Sequence, residues 1–224
     1  MISAIIPTLN ESATLRCLVD CLREMPEVAE IIVADGASQD ATQALAQELG
    51  VNLVLSSRGR GVQMHQGALA ARCDILWFLH ADTRPAAEAP RQILEALQNV
   101  EVVGGNLAIT FTGENWGSRW LTWLYPKLRR LGLCYGDSGF FVRRQVYETV
   151  GGFRPLPLFE DLDLLRRLWR AGVFAHLPAR IEVSARRFEG RIFARIFARW
   201  TILQCFYWLG VSPHILVRYY PMAR

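Results

Sequence analysis

The chain has 224 residues, 51% of them hydrophobic, with a formal net charge of +4 at pH 7 and a sequence pI near 9.0. This composition excludes a disordered or low-complexity chain and indicates one large globular domain, or a domain with an appended lobe. No apolar stretch approaches the roughly 18 residues that a membrane-spanning helix requires, so we expect no membrane span. Lys127 is the only lysine, and the excess of arginine is a weak indication of an anionic ligand.

The cysteine pattern and the N-terminus predict the compartment. The five cysteines form no CxxC pair and no zinc-ligand spacing, and their odd number is typical of free thiols in a reducing environment. Residues 1–7 already have the pattern of a core strand, which leaves no room for a targeting segment. We therefore expect a cytoplasmic protein.

Strand and helix patterns alternate through the first hundred residues. Short apolar runs predict strands at residues 2–7, 31–34, 51–55 and 75–79. Helical spacing predicts helices at residues 13–25, 40–49, 62–71 and 86–98. Successive strand–loop–helix units of this kind are typical of an α/β fold with a mostly parallel, Rossmann-like sheet flanked by helices.

The second half of the chain has a less regular pattern. It predicts, in chain order, a long strand or strand pair, a turn, a short strand, a helix and an amphipathic segment at residues 102–111, 136–139, 140–142, 159–169 and 188–208. We find no internal repeat and no low-complexity linker, so the two halves are expected to share one compact unit.

Polar residues follow each of the four predicted strands of the first half. They are Asn10 and Glu11, Asp35, Arg58 and Arg60, and Asp82. The carboxyl ends of parallel strands share one sheet edge, and ligands of such folds bind there. The sequence has neither a GxGxxG fingerprint nor a P-loop motif, which disfavours a nicotinamide-dependent dehydrogenase and a P-loop NTPase.

Ordinary structural roles remain open for several of these residues. Asn10 or Ser12 is suited to capping the first helix, and Ser38 with Asp40 has the pattern of a second cap. Asp82 fits an ordinary turn as well as a ligand of Mg²⁺ or Mn²⁺ on a bound diphosphate.

Residues 160–163 place three carboxylates at the start of a predicted helix. Carboxylates interact favourably with the helix dipole at that position, so a purely structural role is open. A general base that takes a proton from a hydroxyl needs the same residue type, aimed into a cleft. Glu160 and Asp161 are the better candidates, because Asp163 lies further into the helix.

Together these segments resemble the family 2 glycosyltransferases, which are inverting enzymes with the GT-A fold, over residues 2 to about 187. The matching segments are IIPTLNE at 5–11, IIVADGASQDAT at 31–42, FLHAD at 78–82, and GGF at 151–153 followed by Glu160 and Asp161. They are similar to the family's nucleotide loop, its DDGSTDGT segment, its DxD region and its acceptor-side block. A bacterial subgroup shares RGRGVQM at 58–64, LHADT at 79–83, YGD at 135–137 and SARR at 184–187.

The resemblance implies a site for a nucleoside-diphosphate sugar and an acceptor hydroxyl. It assigns the donor to Pro7, Thr8, Asn10, Glu11, Asp35, Arg58, Arg60, Gln63 and Ala81. It assigns the transferred sugar or the acceptor to Asp137, Ser138, Gly139, Arg186 and Arg187. It implies a divalent metal, Mg²⁺ or Mn²⁺, on Asp82, and it makes Asp161, with Glu160 beside it, the catalytic base.

The chain departs from the family pattern in three places. Gly36 replaces the second aspartate of DDGS, which removes one nucleotide contact. His80 replaces the first aspartate of DxD, which leaves the metal to Asp82. The C-terminal region has no QxxRW motif of the processive synthases, so we expect one sugar to be added per encounter.

The predicted domain organisation follows the resemblance. Residues 1–187 are expected to form the transferase domain, with a nucleotide-sugar half at 1–100 and an acceptor half at 101–187. Residues 188–224 are expected to form a C-terminal amphipathic helical segment.

Arginines recur every four residues in this C-terminal segment, as Arg191, Arg195 and Arg199, beside an apolar stripe. Such a helix lies in a membrane interface, packs on the domain with its arginines in water, or forms a homo-oligomer interface. The first alternative includes a lipid-linked acceptor and a peripheral position on the inner face of the cell membrane. Nucleic acid is not an expected partner.

Two rival functions belong to other classes. A nucleotidyltransferase would share the sheet and the metal, but it needs a glycine-rich first loop with a lysine, which residues 8–11 do not provide. A catalytically inactive nucleotide-sugar-binding module stays open, because one aspartate of DxD is missing.

Overall fold

The computed structural model describes residues 1–112, 116–130, 135–184 and 193–220. Within these ranges eight strands form one mixed sheet, and helices pack against it. Arg186 and Arg187, which the sequence places in the site, lie outside the described residues, as does Arg191 of the amphipathic segment.

The elements follow one another in the predicted alternation through the first half of the chain. The strands are β1 (Ile2–Thr8), β2 (Val28–Asp35), β3 (Asn52–Leu55), β4 (Ile75–Phe78), β5 (Thr83–Pro85), β6 (Val102–Thr112), β7 (Phe141–Arg143) and β8 (Val173–Ser184). The helices are α1 (Leu15–Arg23), α2 (Thr42–Glu48), α3 (Arg60–Ala70), α4 (Ala89–Ala96), α5 (Trp116–Arg130), α6 (Arg144–Thr149), α7 (Glu160–Ala171), α8 (Phe193–Trp208) and α9 (Pro213–Leu216). Short 3₁₀ turns span Gly136–Ser138 and Val217–Tyr219.

The strand order of the sheet is β3-β2-β1-β4-β7-β6-β8-β5. β1 pairs in parallel with β2 and β4, and β2 pairs in parallel with β3. β7 is antiparallel to both β4 and β6, while β6 and β8 are parallel. Because β7 reverses the direction on each side, the carboxyl ends of β6 and β8 lie at the same sheet edge as the end of β1.

The first strand is the centre of this sheet and is covered on both faces. Every residue of β1 is buried, which explains its uninterrupted apolar run. On one face α1 packs through Leu15, Leu18, Val19 and Leu22. On the other face α3 approaches closely at Gly67, where a Cβ atom would lie 2.5 Å from Cγ2 of Ile5. Gly67 therefore sets the distance between α3 and the sheet.

Two strands, one in each half of the chain, are absent from the sequence prediction. β5 directly follows Asp82, for which an ordinary turn was one alternative, and it pairs antiparallel with β8. β8 alternates buried and exposed residues but contains Pro178, which ordinarily argues against a strand. Its register with β6 shifts between the pairs Asn106–His176 and Ala108–Arg180, so the proline falls in a bulge.

The C-terminal helix α8 packs on the domain. Leu203 is buried in a cluster with Leu158, Phe159, Leu162 and Leu216. The solvent-facing surface of α8 carries Arg195, Arg199, Ile202, Phe206 and Trp208. Among the described residues no helix combines the length and the apolar character needed to cross a bilayer.

Candidate functional site

A cavity of about 730 Å³ opens at the sheet edge where β1, β6 and β8 end. Its lining includes residues of the predicted donor half, among them Pro7, Thr8, Glu11, Arg58 and Asp82. Residues from the second half, including the C-terminal α8, complete the lining. The expectation that polar strand ends meet at one edge therefore agrees with the structure.

Asp35, at the end of β2, is fully buried beneath this edge. Its Oδ1 accepts hydrogen bonds from the Ser38 amide at 2.9 Å and the Gln43 side-chain amide at 2.6 Å. Its Oδ2 accepts hydrogen bonds from the hydroxyls of Thr8 and Ser38. Although burial alone raises the pKa of a carboxyl, these hydrogen bonds hold the pKa of Asp35 below its ordinary value.

The contacts of Asp35 in the structure differ from the contact that the resemblance implies, which is a direct one with the nucleotide. Its four hydrogen bonds occupy both carboxylate oxygens with donors from the protein, and it does not line the cavity. Its observed contacts instead hold the loop after β2 against the end of β1.

The loops after β1 and β2 are joined by three further hydrogen bonds. The Asn10 amide donates to Ser38 Oγ, the Gln39 amide donates to Asn10 Oδ1, and the Ser12 amide donates to Asp40. Asn10 has a left-handed backbone with φ of 59°, which asparagine tolerates better than most residues.

The suggested caps of α1 are therefore wrong. Neither Asn10 nor Ser12 caps α1, because the residue before that helix is Thr14, whose side chain makes no capping bond. At α2 the N-cap position is Ala41, but Asp40 accepts the backbone amide of Thr42, the first residue of the helix, at 3.0 Å, while Ser38 bonds within the two loops.

Gln63 fills the space that Gly36 leaves. Its side-chain amide is buried and donates to the carbonyl oxygens of Thr8 and Ala34, at 2.6 and 3.1 Å. A Cβ atom on Gly36 would lie 2.9 Å from Cδ of Gln63, so an aspartate could not stand at position 36 without moving that side chain. Gln63 borders the cavity, and its observed bonds tie the ends of β1 and β2 together.

Arg60 has partners other than those predicted. The resemblance assigned it to the donor, whereas its guanidinium bonds to Glu160 and lies 3.8 Å from carboxylate oxygens of Asp137 and Asp161. Burial works in the opposite direction, but these three carboxylates raise the pKa of Arg60 further above its ordinary value. Arg60 therefore partly neutralises the group formed by Asp137, Glu160 and Asp161, here called the carboxylate cluster.

Arg58, two residues earlier, is exposed on the rim of the same cavity. Since Arg60 is engaged by the carboxylate cluster, Arg58 is the better placed of the two arginines for an anionic ligand.

Asp161 combines burial with a fixed orientation. Its Oδ2 accepts the Gly136 amide at 2.8 Å, and its Oδ1 accepts the Leu162 amide at 2.8 Å. Burial, and then the neighbouring Glu160 carboxylate, raise the pKa of Asp161 above its usual range, although Arg60 opposes the shift. A raised pKa makes a carboxylate a stronger proton acceptor, which suits the predicted role as base.

Two aromatic contacts with α8 are made by residues close in the chain to Asp161 and to Gly136, whose amide bonds Asp161. Phe159, immediately before α7, has a left-handed backbone with φ of 61°, and its ring stacks on Tyr207 with centroids 4.9 Å apart. Tyr135, which precedes Gly136, packs against Trp200 at 4.3 Å and donates its hydroxyl hydrogen to Gln204 at 2.9 Å. The C-terminal helix therefore supports both sides of the base.

Asp82, His80 and Asp137 line the cavity together. His80 Nε2 lies 3.4 Å from Asp137 Oδ1, and Asp82 is half-buried. The described residues contain no cluster of three or more His, Cys, Asp or Glu side chains placed to hold a metal ion. An ion bound mainly by phosphate and water needs only one or two carboxylates, and Asp82 with Asp137 offers such oxygen donors.

Four more of the predicted residues that the structure describes do not line the cavity. Ala81 packs in the main hydrophobic core, and the exposed Asn10 does not line the cavity. Ser138 is buried, where its hydroxyl accepts from the Asn106 side chain and donates to the Tyr135 carbonyl oxygen. Gly139 has a left-handed φ of 63° and forms the turn into β7.

The sequence reasoning missed most of the apolar lining of the cavity, which comes from residues outside the loops after β1 and β2, here called the donor loops. We call this lining the apolar wall, and it consists of Ile109, Phe111, Leu121, Tyr125, Pro155, Leu156, Pro157, Leu158, Phe159, Val183, Phe197, Trp200, His214, Val217 and Tyr220. The aromatic composition of residues 116–133 and the apolar stripe of the C-terminal segment were the available signals. Neither shows that the two segments face one cavity.

Comparison with known structures identifies the fold. Glucosyl-3-phosphoglycerate synthase from Mycobacterium tuberculosis, in complex with Mn²⁺, uridine diphosphate and glucosyl-3-phosphoglycerate, superposes with a TM-score of 0.63 and 21% identity, covering 95% of this chain and 81% of that one. Residues 1–349 of Staphylococcus aureus TarS, in complex with UDP-GlcNAc, superpose with a TM-score of 0.65 and 15% identity, covering 86% and 60%. The fold is that of the GT-A glycosyltransferases, and the predicted α/β fold class is confirmed.

Sequence relatives show to which family of GT-A glycosyltransferases the chain belongs. The model of glycosyl transferase family 2 matches residues 3–151. The probable glycosyltransferase YdaM of Bacillus subtilis (strain 168) is 22% identical over 230 residues, covering 89% of this chain and 54% of that protein. An uncharacterized glycosyltransferase of Mycobacterium tuberculosis (strain ATCC 25618 / H37Rv) is 29% identical over 106 residues, covering 46% and 47%.

The chain belongs to glycosyl transferase family 2. It spans about half the length of the curated relatives that it matches.

Proposed function

We propose that this protein transfers a sugar from a nucleoside-diphosphate sugar to an acceptor hydroxyl, with inversion at the anomeric carbon. The observation that carries the proposal is the position of Asp161, a buried carboxylate with a raised pKa, in the same cavity as the loops after β1 and β3. Family membership and the uridine nucleotides held by both structural neighbours support a nucleotide-sugar as the donor.

In this proposal the donor lies against Pro7, Thr8 and Glu11, with its diphosphate near Arg58. Arg58 offers a guanidinium at the rim, and a planar guanidinium suits bidentate contact with phosphate oxygens. Asp35, Asn10 and Gln63 act indirectly, because their hydrogen bonds hold the two loops that would receive the nucleotide.

A divalent ion, Mg²⁺ or Mn²⁺, fits the oxygen donors of Asp82 and Asp137. The Mn²⁺ present in the mycobacterial synthase supports this assignment by analogy. Such an ion would neutralise charge on the diphosphate as it leaves.

The chemical step is a displacement at the anomeric carbon. The acceptor oxygen forms a bond to that carbon, and the bond from the carbon to the diphosphate oxygen breaks, leaving its electron pair on the nucleoside diphosphate. The proton of the acceptor hydroxyl passes to Asp161, whose orientation is fixed by the amides of Gly136 and Leu162. The missing QxxRW motif supports transfer of a single sugar per encounter.

Residues 1–100 supply the donor side and residues 101–187 most of the acceptor side in this assignment. The C-terminal segment beyond residue 187 also takes part, because Phe197 and Trp200 line the same cavity. Attachment to a membrane surface and homo-oligomer formation stay predictions.

A donor screen tests the proposed function. The purified chain is incubated with a panel of UDP-, GDP-, dTDP- and CMP-sugars and Mn²⁺ or Mg²⁺, and both binding and release of free nucleotide are measured. We expect one donor to bind and to release nucleotide in a metal-dependent manner. Binding without release, at every metal and with a pool of acceptors, would instead identify an inactive nucleotide-sugar-binding module.

A further inference from the structure

The apolar wall extends from the proposed catalytic base. Leu158 and Phe159 precede Glu160 and Asp161 in the chain, and all four border the cavity. An acceptor whose hydroxyl reaches Asp161 must therefore direct the rest of its body along this wall or out of the opening. The chemistry of the wall then determines which acceptors are accommodated.

Aliphatic and aromatic carbon dominates that surface. β6 contributes Ile109 and Phe111, α5 contributes Leu121, and α8 contributes Phe197 and Trp200. Several of these side chains are wholly or half buried, so they present a preformed apolar surface to a ligand and not mobile side chains in water.

Two tyrosine hydroxyls beside the cavity, those of Tyr125 and Tyr135, are engaged within the protein. The Tyr125 hydroxyl accepts the Tyr135 amide at 3.3 Å, and the Tyr135 hydroxyl donates to Gln204 at 2.9 Å. The rings of the two tyrosines also pack against each other, with their centroids 6.2 Å apart.

A sugar or a phosphorylated acid would be poorly matched to this surface. Each buried hydroxyl without a hydrogen-bond partner costs on the order of 1–3 kcal/mol, and a saccharide carries several. A phosphate or carboxylate needs a cation, and His214 is the only titratable basic side chain among the described residues of the apolar wall. The two arginines of the cavity are Arg58, which is exposed on the rim, and Arg60, which is already paired with the carboxylate cluster.

We infer that the acceptor is an alcohol whose hydroxyl is carried by an apolar, aliphatic or aromatic body. This inference rests on the proposed function, because it concerns the substrate of the same site. Burial of the apolar body contributes about 25 cal/mol per Å² of apolar surface removed from water. The hydroxyl is the one polar group of the acceptor that meets a polar partner, the carboxylate of Asp161.

An acceptor comparison tests the inference with the donor that the screen identifies. Hexan-1-ol and 2-phenylethanol in solution, and hexadecan-1-ol in phosphatidylcholine vesicles, are compared with glycerol, glucose and 3-phosphoglycerate. Products are identified by mass spectrometry. We expect at least tenfold greater kcat/KM for one of the apolar alcohols than for any polar acceptor.

The arms also distinguish the source of the acceptor. Preference for the soluble alcohols supports a small apolar molecule from solution, and preference for the vesicle alcohol supports one presented by a membrane. Preference for glucose, glycerol or 3-phosphoglycerate would overturn the apolar acceptor while leaving the transferase activity intact. Absence of donor binding would instead overturn the proposed function on which the inference rests.

A charge placed in the wall provides a second test. Val217 is half-buried and borders the cavity, whereas Tyr219, on the same 3₁₀ turn, is 66% exposed and does not line it. We expect Val217→Asp to raise the KM for the apolar alcohol at least tenfold and to leave the KM for the donor unchanged. Tyr219→Asp, the matched control, should leave both within twofold.

Saturation-transfer NMR with hexan-1-ol checks binding separately from turnover. We expect transfer to the hexyl chain in the wild-type protein and in Tyr219→Asp, and its loss in Val217→Asp. Equal transfer in all three proteins would show that the alcohol binds elsewhere, which would contradict the inference.

Discussion

One buried aspartate lies beneath the donor loops and another beside the apolar wall, and their pKa values are shifted in opposite directions. Asp35, beneath the donor loops, is fully buried and accepts four hydrogen bonds, which lower its pKa. Asp161, beside the apolar wall, is 5% exposed, and burial with the nearby Glu160 carboxylate raises its pKa. Both aspartates are buried, but Asp161 is enclosed by more protein, so loss of solvation raises its pKa, whereas hydrogen bonds outweigh that effect at Asp35.

This difference separates a structural role from a reactive one. A carboxylate with enough hydrogen-bond donors is stabilised as an anion and has little tendency to take a proton. A carboxylate that shares its site with another carboxylate retains that tendency, at a cost to folding stability. The predictions below change one side of the cavity at a time, beginning with the largest expected effect.

Replacing Asp161 should abolish transfer and leave the fold intact. We expect Asp161→Asn to lower kcat by about 10²–10⁴, the usual contribution of a general base, while donor binding persists. Turnover is measured by nucleotide release and binding by calorimetry. Asp163→Asn is the matched control, because Asp163 lies on the same helix and pairs with Arg167. Turnover of Asp161→Asn within tenfold of the wild type would refute the role of Asp161 as base.

Replacing Asp35 should damage stability. In Asp35→Asn the new NH₂ group faces hydroxyl and amide donors, so we expect the free energy of unfolding to fall by about 3 kcal/mol. Urea unfolding at pH 7 measures this change, and the exposed Asp20→Asn should stay within about 0.5 kcal/mol of the wild type. Asp161→Asn should show the reverse sign, with equal or greater stability than the wild type.

The sign of the Asp161 effect follows from its raised pKa. As pH rises above the ordinary carboxyl range, the unfolded chain releases its proton before the folded chain does, and ionised Asp161 then opposes folding. Neutral asparagine removes that opposition at pH 7. If Asp161→Asn were as destabilising as Asp35→Asn, the assignment of a structural role to Asp35 and a reactive role to Asp161 would be wrong.

The contact between Tyr207 of α8 and Phe159, the residue before α7, should affect both kcat and the pKa of Asp161. Tyr207→Ala removes the ring that stacks on Phe159, so we expect kcat to fall about tenfold with the donor KM unchanged. Water entering near Asp161 should also lower its pKa, which moves the acidic limb of the kcat–pH profile to lower pH.

Two substitutions control this experiment. Tyr207→Phe keeps the stacked ring and should behave as the wild type, and Phe206→Ala removes a neighbouring ring that is 47% exposed. A fall in kcat without any displacement of the pH profile would indicate that Tyr207 only stabilises the fold.

The smallest expected effect concerns the acid stability of the donor loops. Burial opposes the shift, but hydrogen bonds from Thr42 and Ser12 lower the pKa of Asp40 to about 2. Because its folded pKa is depressed, its contribution to stability is present above about pH 4 and is lost as the pH falls towards 2. Thermal unfolding should therefore show Asp40→Asn below the wild type at pH 5, with the gap closing on acidification. A gap that is constant with pH would contradict this assignment.

Much of the fold could be predicted from the sequence, because its signals are local. The apolar runs that form β1 and β4, and the helical spacing of α1 and α7, each fall within a short stretch of chain. The parallel order of the first strands follows from their alternation with helices. The order of motifs along the chain was also sufficient to recognise the family, which the match over residues 3–151 confirms.

The roles of individual side chains depended on contacts that sequence patterns do not contain. Arg60 meets Glu160, which is 100 residues away, and Tyr135 meets Gln204, which is 69 residues away. The strand β8 was missed because Pro178 disrupts its local pattern while pairing with β6 maintains it.

The sequence by itself determined the parallel strands β1 to β4, the family and the presence of acidic residues at one edge of the fold. The tertiary structure decided that the carboxylate of Asp35 has hydrogen-bond donors for both oxygens and that the carboxylate of Asp161 retains its affinity for a proton. It also brought α5, α8 and β6 together into the apolar wall. The physical reason is that the pKa of a carboxyl group and the polarity of a cavity depend on neighbours in space, and those neighbours come from distant parts of the chain.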